Sequence, residues 1–113
     1  MAAPAPASVP GGKPFTLTQA SPGVLQAGGA LTFATARAAR ATGIAMLATA
    51  AAGPLQIDCS AVCPADSAGL AVLLDWLAVA RGAGRSLRYL NLPQDLQALA
   101  RISEVQELLQ RGV

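Results

Sequence analysis

A chain of 113 residues that is 53% apolar and only 12% charged has the makings of one folded domain and excludes a disordered, highly charged one. Its net charge of +2 is spread thinly; only Arg81, Arg85 and Arg88 fall close together, which argues against the basic stripe of a nucleic-acid binder. Histidine is absent, so Ser-His-Asp triads, His-ligated metals and imidazole acid–base chemistry are all excluded.

Residues 1–13 are rich in proline and glycine, with neither a cationic start nor an apolar run. They read as a disordered tail rather than a secretory signal, and residues 14–113 as the single domain. The uncharged run from Pro14 to Ala36 is broken by Thr, Gln, Ser, Pro22 and paired glycines, so it does not read as a membrane span. No membrane insertion is expected, and a cytoplasmic location follows as the default.

Phe15–Gln19 alternates as a strand, and Ser21-Pro22-Gly23 is a turn. Val24–Gln26 and Ala30–Thr35, where Leu31 and Phe33 alternate with threonines, read as the next strand or strands. Gly28-Gly29 between them suggests a bulge or bend. Arg37–Ala52 is a helix with Ile44, Leu47 and Ala48 on one face, stopped by Gly53-Pro54.

Leu55–Cys59 is a short buried strand, and Ser60–Ala65 a loop holding Pro64. Ser67–Arg81 is the clearest helix: Leu70, Leu73, Leu74, Leu77 and Ala80 line one face, and Val72, Trp76 and Val79 widen it. The sole Trp is expected in the core. Gly82-Ala83-Gly84 ends that helix behind a cationic last turn. Ser86–Leu92 is a further strand, Pro93 opens a helix running to about Arg101, and a last amphipathic stretch ends at Leu109. The order β-β-α-β-α-β-α-α implies an α/β fold with a mixed sheet and helices packed on it.

Cys59 and Cys63 have Cys-x-x-x-Cys spacing, which matches neither a redox Cys-x-x-Cys nor a closed zinc site. They read as reduced thiols, one packed and one near a loop, with a redox switch as the sharper alternative. No metal or other cofactor is expected. Gly11-Gly12-Lys13 lacks the first glycine and the Ser/Thr of a phosphate-binding loop.

The informative stretch is Ile57-Asp-Cys-Ser-Ala-Val-Cys-Pro-Ala-Asp-Ser-Ala-Gly-Leu70, a strand delivering polar groups to a helix start. Orphan N–H groups there need acceptors, and Asp66 is placed to cap them. Ser67 then occupies the first turn with its hydroxyl toward solvent. Gly69 implies that another backbone approaches closely, from this chain or from a partner. A catalytic cluster of Asp58, Asp66 and Ser67 is conceivable, but only carboxylates are on hand as bases, so an enzyme is not expected.

Leu55-Gln-Ile-Asp-Cys-Ser followed by Ala65-Asp-Ser-Ala-Gly-Leu70 resembles the signature of STAS domains, where an Asp-Leu-Ser strand end precedes an Asp-Ser/Thr-x-Gly-Leu helix start. Leu87-Arg-Tyr-Leu-Asn-Leu-Pro93 and Leu96–Leu109 resemble the family's fourth strand and terminal helices. Gly29-Ala-Leu-Thr-Phe-Ala-Thr35 looks like the second strand of the MlaB-type subgroup of Gram-negative bacteria. Two departures stand out: Cys59 replaces the usual strand-end Leu, and Ala68 stands where many partner-switching antagonists carry a second Ser or Thr.

The resemblance implies a STAS-like mixed sheet of four or five strands with helices on one face. It implies a non-enzymatic interaction module that binds and regulates the ATPase subunit of an MlaFEDB-type phospholipid ABC transporter, peripheral to the inner membrane through that partner. The partner-binding residues on this reading are Ser60, Pro64, Ala65, Asp66, Ser67, Ala68 and Leu70. The alternative is an anti-sigma factor antagonist whose partner is an anti-sigma factor kinase and whose Ser67 is the phosphorylated residue.

Overall fold

The computed structural model describes residues 13–113, so the expected tail lies outside the described residues except for Lys13. The elements are β1 (Thr16–Ser21), β2 (Val24–Leu31), α1 (Ala36–Thr49), β3 (Leu55–Ala65), α2 (Ser67–Gly82), β4 (Leu87–Leu90), α3 (Gln94–Ile102) and α4 (Gln106–Arg111). The strands make one four-stranded sheet in the order β1-β2-β3-β4. β1 runs antiparallel to β2 through a turn at Gly23, whose φ of +80° suits glycine. β2, β3 and β4 run parallel. The sheet is therefore mixed, as the element order implies.

Alternation along the strands gives the sheet one dry face. Leu17, Leu25, Ala27, Leu55, Ile57, Cys59, Leu87 and Tyr89 are buried, while Thr16, Thr18, Gln26 and Arg88 between them are exposed. The crossovers β2–α1–β3 and β3–α2–β4 step the same way across the sheet, so the right-handed rule places α1 and α2 together on that dry face. The free edge of β4 is covered by Val113. Leu87 N–H donates to Val113 O (3.3 Å), and Val113 N–H donates back to Leu87 O (3.0 Å).

α2 is the central helix, burying Leu70, Val72, Leu73, Trp76, Leu77 and Ala80. Trp76 is fully enclosed, and its Nε1–H donates to Arg40 O at 3.2 Å. The indole explains a glycine inside α1: a Cβ on Gly43 would collide with the Trp76 ring at Cε2. It also corrects the expected face of α1. The helix turns its Ala39, Gly43, Leu47 stripe inward against the indole, and Ala48 is exposed.

Two further expectations are corrected. Ser60–Ala65 is not a loop but the second half of β3, because β2 continues through Gly28-Gly29 and offers it a partner. Gly28 pairs with Ala61, Gly29 with Val62 and Leu31 with Ala65, and the register shifts on either side of the glycine pair, where a bulge or bend is expected. Thr32–Thr35 is not strand. The Thr35 hydroxyl donates to Ala30 O at 2.8 Å and accepts from Thr32 N–H at 3.0 Å, folding the chain into a turn just before α1.

Candidate functional site

The start of α2 is built around one carboxylate. Asp66 has an extended backbone, with φ −135° and ψ −171°, and is the N-cap of the helix. Its Oδ1 accepts from Gly69 N–H at 3.1 Å, and its Oδ2 accepts from Phe33 N–H at 3.0 Å. Its own N–H donates to Leu31 O at 3.3 Å. Asp66 therefore ties the first turn of α2 to the turn that follows β2. The backbone that approaches Gly69 belongs to this chain: a Cβ there would collide with Leu31 O.

Ser67 opens α2 and is exposed, with Ala68 half-buried behind it. Pro64 and Ala65 are half-buried on the strand that delivers the chain to Asp66. These five residues, Pro64 to Ala68, are brought together. Leu70 is not on the surface with them: it is 3% exposed and packs in the core, because the inward face of α2 begins at that position. Ser60 belongs to a different cluster. Its N–H donates to Asp58 Oδ1 at 2.9 Å, and Asn91 Nδ2 donates to the same oxygen at 3.3 Å. Hydrogen bonds from Ser60, above all from its backbone, and then from Asn91 hold the Asp58 carboxyl below its usual range, against a smaller opposing effect of burial.

The cysteines split as a buried and an exposed thiol, neither in a disulfide. Burial, and secondarily the Asp58 charge, pushes the Cys59 thiol up to about 12, so it stays protonated and unreactive. Cys63 is exposed on β3. Among the described residues no three His, Cys, Asp or Glu side chains come together as a metal set. No helix of the described residues is long and apolar enough to cross a membrane.

Phe33 is the residue that sequence reasoning missed. It is 84% exposed and lines an open groove between α1 and α2 together with Ala36, Ala41, Ala68, Ala71, Val72 and Arg37. The Arg40 guanidinium reaches across this groove to Asp75 at 2.8 Å. The available signal was the threonine pair around Phe33, whose hydroxyls favour a turn over continued alternation.

The family model of the Mlab STAS domain matches residues 16–110. Among solved structures, that of the anti-sigma factor antagonist SpoIIAA in its unphosphorylated form has the same fold, with a TM-score of 0.63 at 16% identity over 82% of this chain and 83% of that one. No curated protein matches the sequence.

Proposed function

This chain belongs to the STAS domain family of the Mlab type, and on that premise we propose that it is a non-enzymatic interaction module for the ATPase subunit of an MlaFEDB-type phospholipid ABC transporter. It works in the cytoplasm, held at the inner membrane through that partner, and binds no metal or cofactor of its own. The observation that carries the reading is the state of the α2 entrance. Both Asp66 carboxylate oxygens are engaged by backbone N–H groups, so the one reactive-looking acid beside Ser67 is occupied in structure rather than set aside for chemistry. What faces outward is a hydroxyl and a small side chain, Ser67 and Ala71, with half-buried Ala68 beside them. Short side chains leave room for a partner's side chains to come close, and the hydroxyl offers one donor and acceptor to orient on.

The test is direct binding of the purified ATPase subunit to the full chain. Wild type is expected to bind, and Ala71→Arg and Ser67→Asp to bind at least about tenfold more weakly, the loss of about 1.4 kcal/mol at a packed interface. Equal affinity for all three chains defeats the assignment of this surface.

A second reading is kept alive by the same exposed hydroxyl. Ser67 stands open at the first turn of α2, where the helix dipole favours a phosphate even beside the Asp66 carboxylate. On that reading the chain is an anti-sigma factor antagonist, modified on Ser67 by an anti-sigma factor kinase. Intact-mass measurement after incubation with such a kinase decides it: one added phosphoryl group, lost in Ser67→Ala, supports it, and an unchanged mass rejects it.

A further inference from the structure

Two large apolar side chains are exposed among the described residues, and they differ in their surroundings. Ile102, 78% exposed, ends α3 between exposed Arg101, Ser103 and Glu104. Such an isolated apolar residue is ordinary. Phe33, 84% exposed, instead lines the groove between α1 and α2, which reaches Ala68 and Ala71 near Ser67. Aromatic side chains are enriched at protein interfaces relative to the rest of the surface.

The backbone beneath Phe33 is tied at two points. Asp66 Oδ2 takes its N–H at 3.0 Å, and the Thr35 hydroxyl closes the turn onto Ala30 O at 2.8 Å. A side chain presented on a fixed backbone loses less freedom when a partner takes it up. The charged side chains that line the groove are Arg37, Arg40 and Asp75, and the Asp66 carboxylate lies at the Phe33 N–H. α1 carries Arg37 and Arg40 and no acid; Arg40 is paired with Asp75, whereas Arg37 has no ion-pair partner among the described residues.

We propose that Phe33 is the recognition anchor of this docking surface, that Asp66 is the positioning residue that presents it, and that the partner face is an apolar socket with a carboxylate set to meet Arg37. This rests on the protein-docking reading above and names the chemistry of its partner. The charge selects the occupant. Residues 1–12 contain no acidic residue, so this chain's own leading segment lacks the carboxylate. A second copy docked on the same face would bring its own unpaired Arg37 toward this one, and like charges oppose that pairing.

The experiment measures binding of the purified ATPase subunit by calorimetry, using the full chain as wild type, Phe33→Ser, Arg37→Glu, Asp66→Ala and Asp66→Asn. Amide hydrogen exchange at Phe33 is followed in parallel. Phe33→Ser is expected to weaken binding about a hundredfold while leaving Tm unchanged, since the ring is exposed. Arg37→Glu is expected to weaken it about tenfold and to flatten its salt dependence. Asp66→Ala should weaken binding about tenfold and speed exchange of the Phe33 amide, and Asp66→Asn, which keeps one acceptor oxygen, should fall between it and wild type. Full binding by Phe33→Ser overturns the anchor and leaves the docking reading standing. Unchanged Phe33 exchange in Asp66→Ala overturns the positioning role. Failure of wild type to bind overturns the docking reading and the anchor with it. A concentration-dependent dimer of the free chain that Phe33→Ser abolishes replaces the proposed occupant with a second copy.

Discussion

At one end of the α1 and α2 layer a carboxylate gathers backbone N–H groups; at the other a guanidinium gathers backbone carbonyls. Asp66 accepts from Phe33 and Gly69 where α2 begins. Arg85, just beyond the end of α2, donates to Leu47 O (3.2 Å), Ala50 O (3.0 Å) and Gly53 O (3.1 Å), and also to Ala51 O, where α1 ends. Each charge matches the end of the dipole it faces, and each answers groups a helix terminus leaves unpaired. The difference lies in what surrounds them. The Arg85 end is finished with glycine, proline, serine and alanine. The Asp66 end displays a phenylalanine and an open serine hydroxyl. Satisfying helix ends stabilises the fold at both places, so polar networks do not separate the proposed docking end from the other. The exposed Phe33 beside one of them is the difference on which the proposal rests.

The sharpest way to break this comparison is at Gly69. The turn after β2 lies so close to the start of α2 that a methyl group at this position would run into Leu31 O. Gly69→Ala should then cost about 3 kcal/mol by urea denaturation, the upper range for forcing atoms into a packed site. A loss below about 0.5 kcal/mol, the scatter of ordinary surface changes, would show that the two segments are only loosely joined.

Arg85→Ala comes next, at about 2 kcal/mol, because several charge-assisted bonds go at once but part of the cluster is open to water. Arg85→Lys should recover little, since a single ammonium cannot span carbonyls that a planar guanidinium reaches from both sides. Asp66→Ala follows at about 1 kcal/mol, the usual worth of an N-cap. The comparison requires that ranking. If Asp66→Ala proved the costlier of the two, the α2 entrance would be the structural keystone and its functional reading would weaken.

How far the site was legible follows from which partners are local. The element order could be read because Gly23, Gly53-Pro54, Gly82-Ala83-Gly84 and Pro93 punctuate the chain at the breaks between elements. The Asp66 cap on Gly69 could be read too, since acceptor and donor lie three residues apart. Its second bond could not: Phe33 is 33 residues away, and only the fold brings it there. The latter half of β3 was hidden for the same reason. Cys63-Pro64 looks like loop until a bulged β2 runs alongside. Phe33 itself was masked by its spacing from Leu31, which copies strand alternation across a point where Thr35 turns the chain. The sequence left open whose backbone approaches Gly69, and Leu31 of this chain answers it.

The smallest expected effect carries the most discrimination. Ser67→Asp should change stability by less than about 0.5 kcal/mol. An added carboxylate in the first turn gains from the helix dipole and loses by lying beside Asp66, and the two act at an exposed position where water screens both. Stability would then be almost silent while partner binding falls about tenfold, so the residue would be marked as contact surface rather than scaffold. Gly69→Ala should show the reverse pattern in whatever fraction still folds: a large stability loss with binding set by how far Phe33 is displaced. Measuring both quantities on both variants separates the side chains that hold the α2 entrance together from those on which the proposed docking depends.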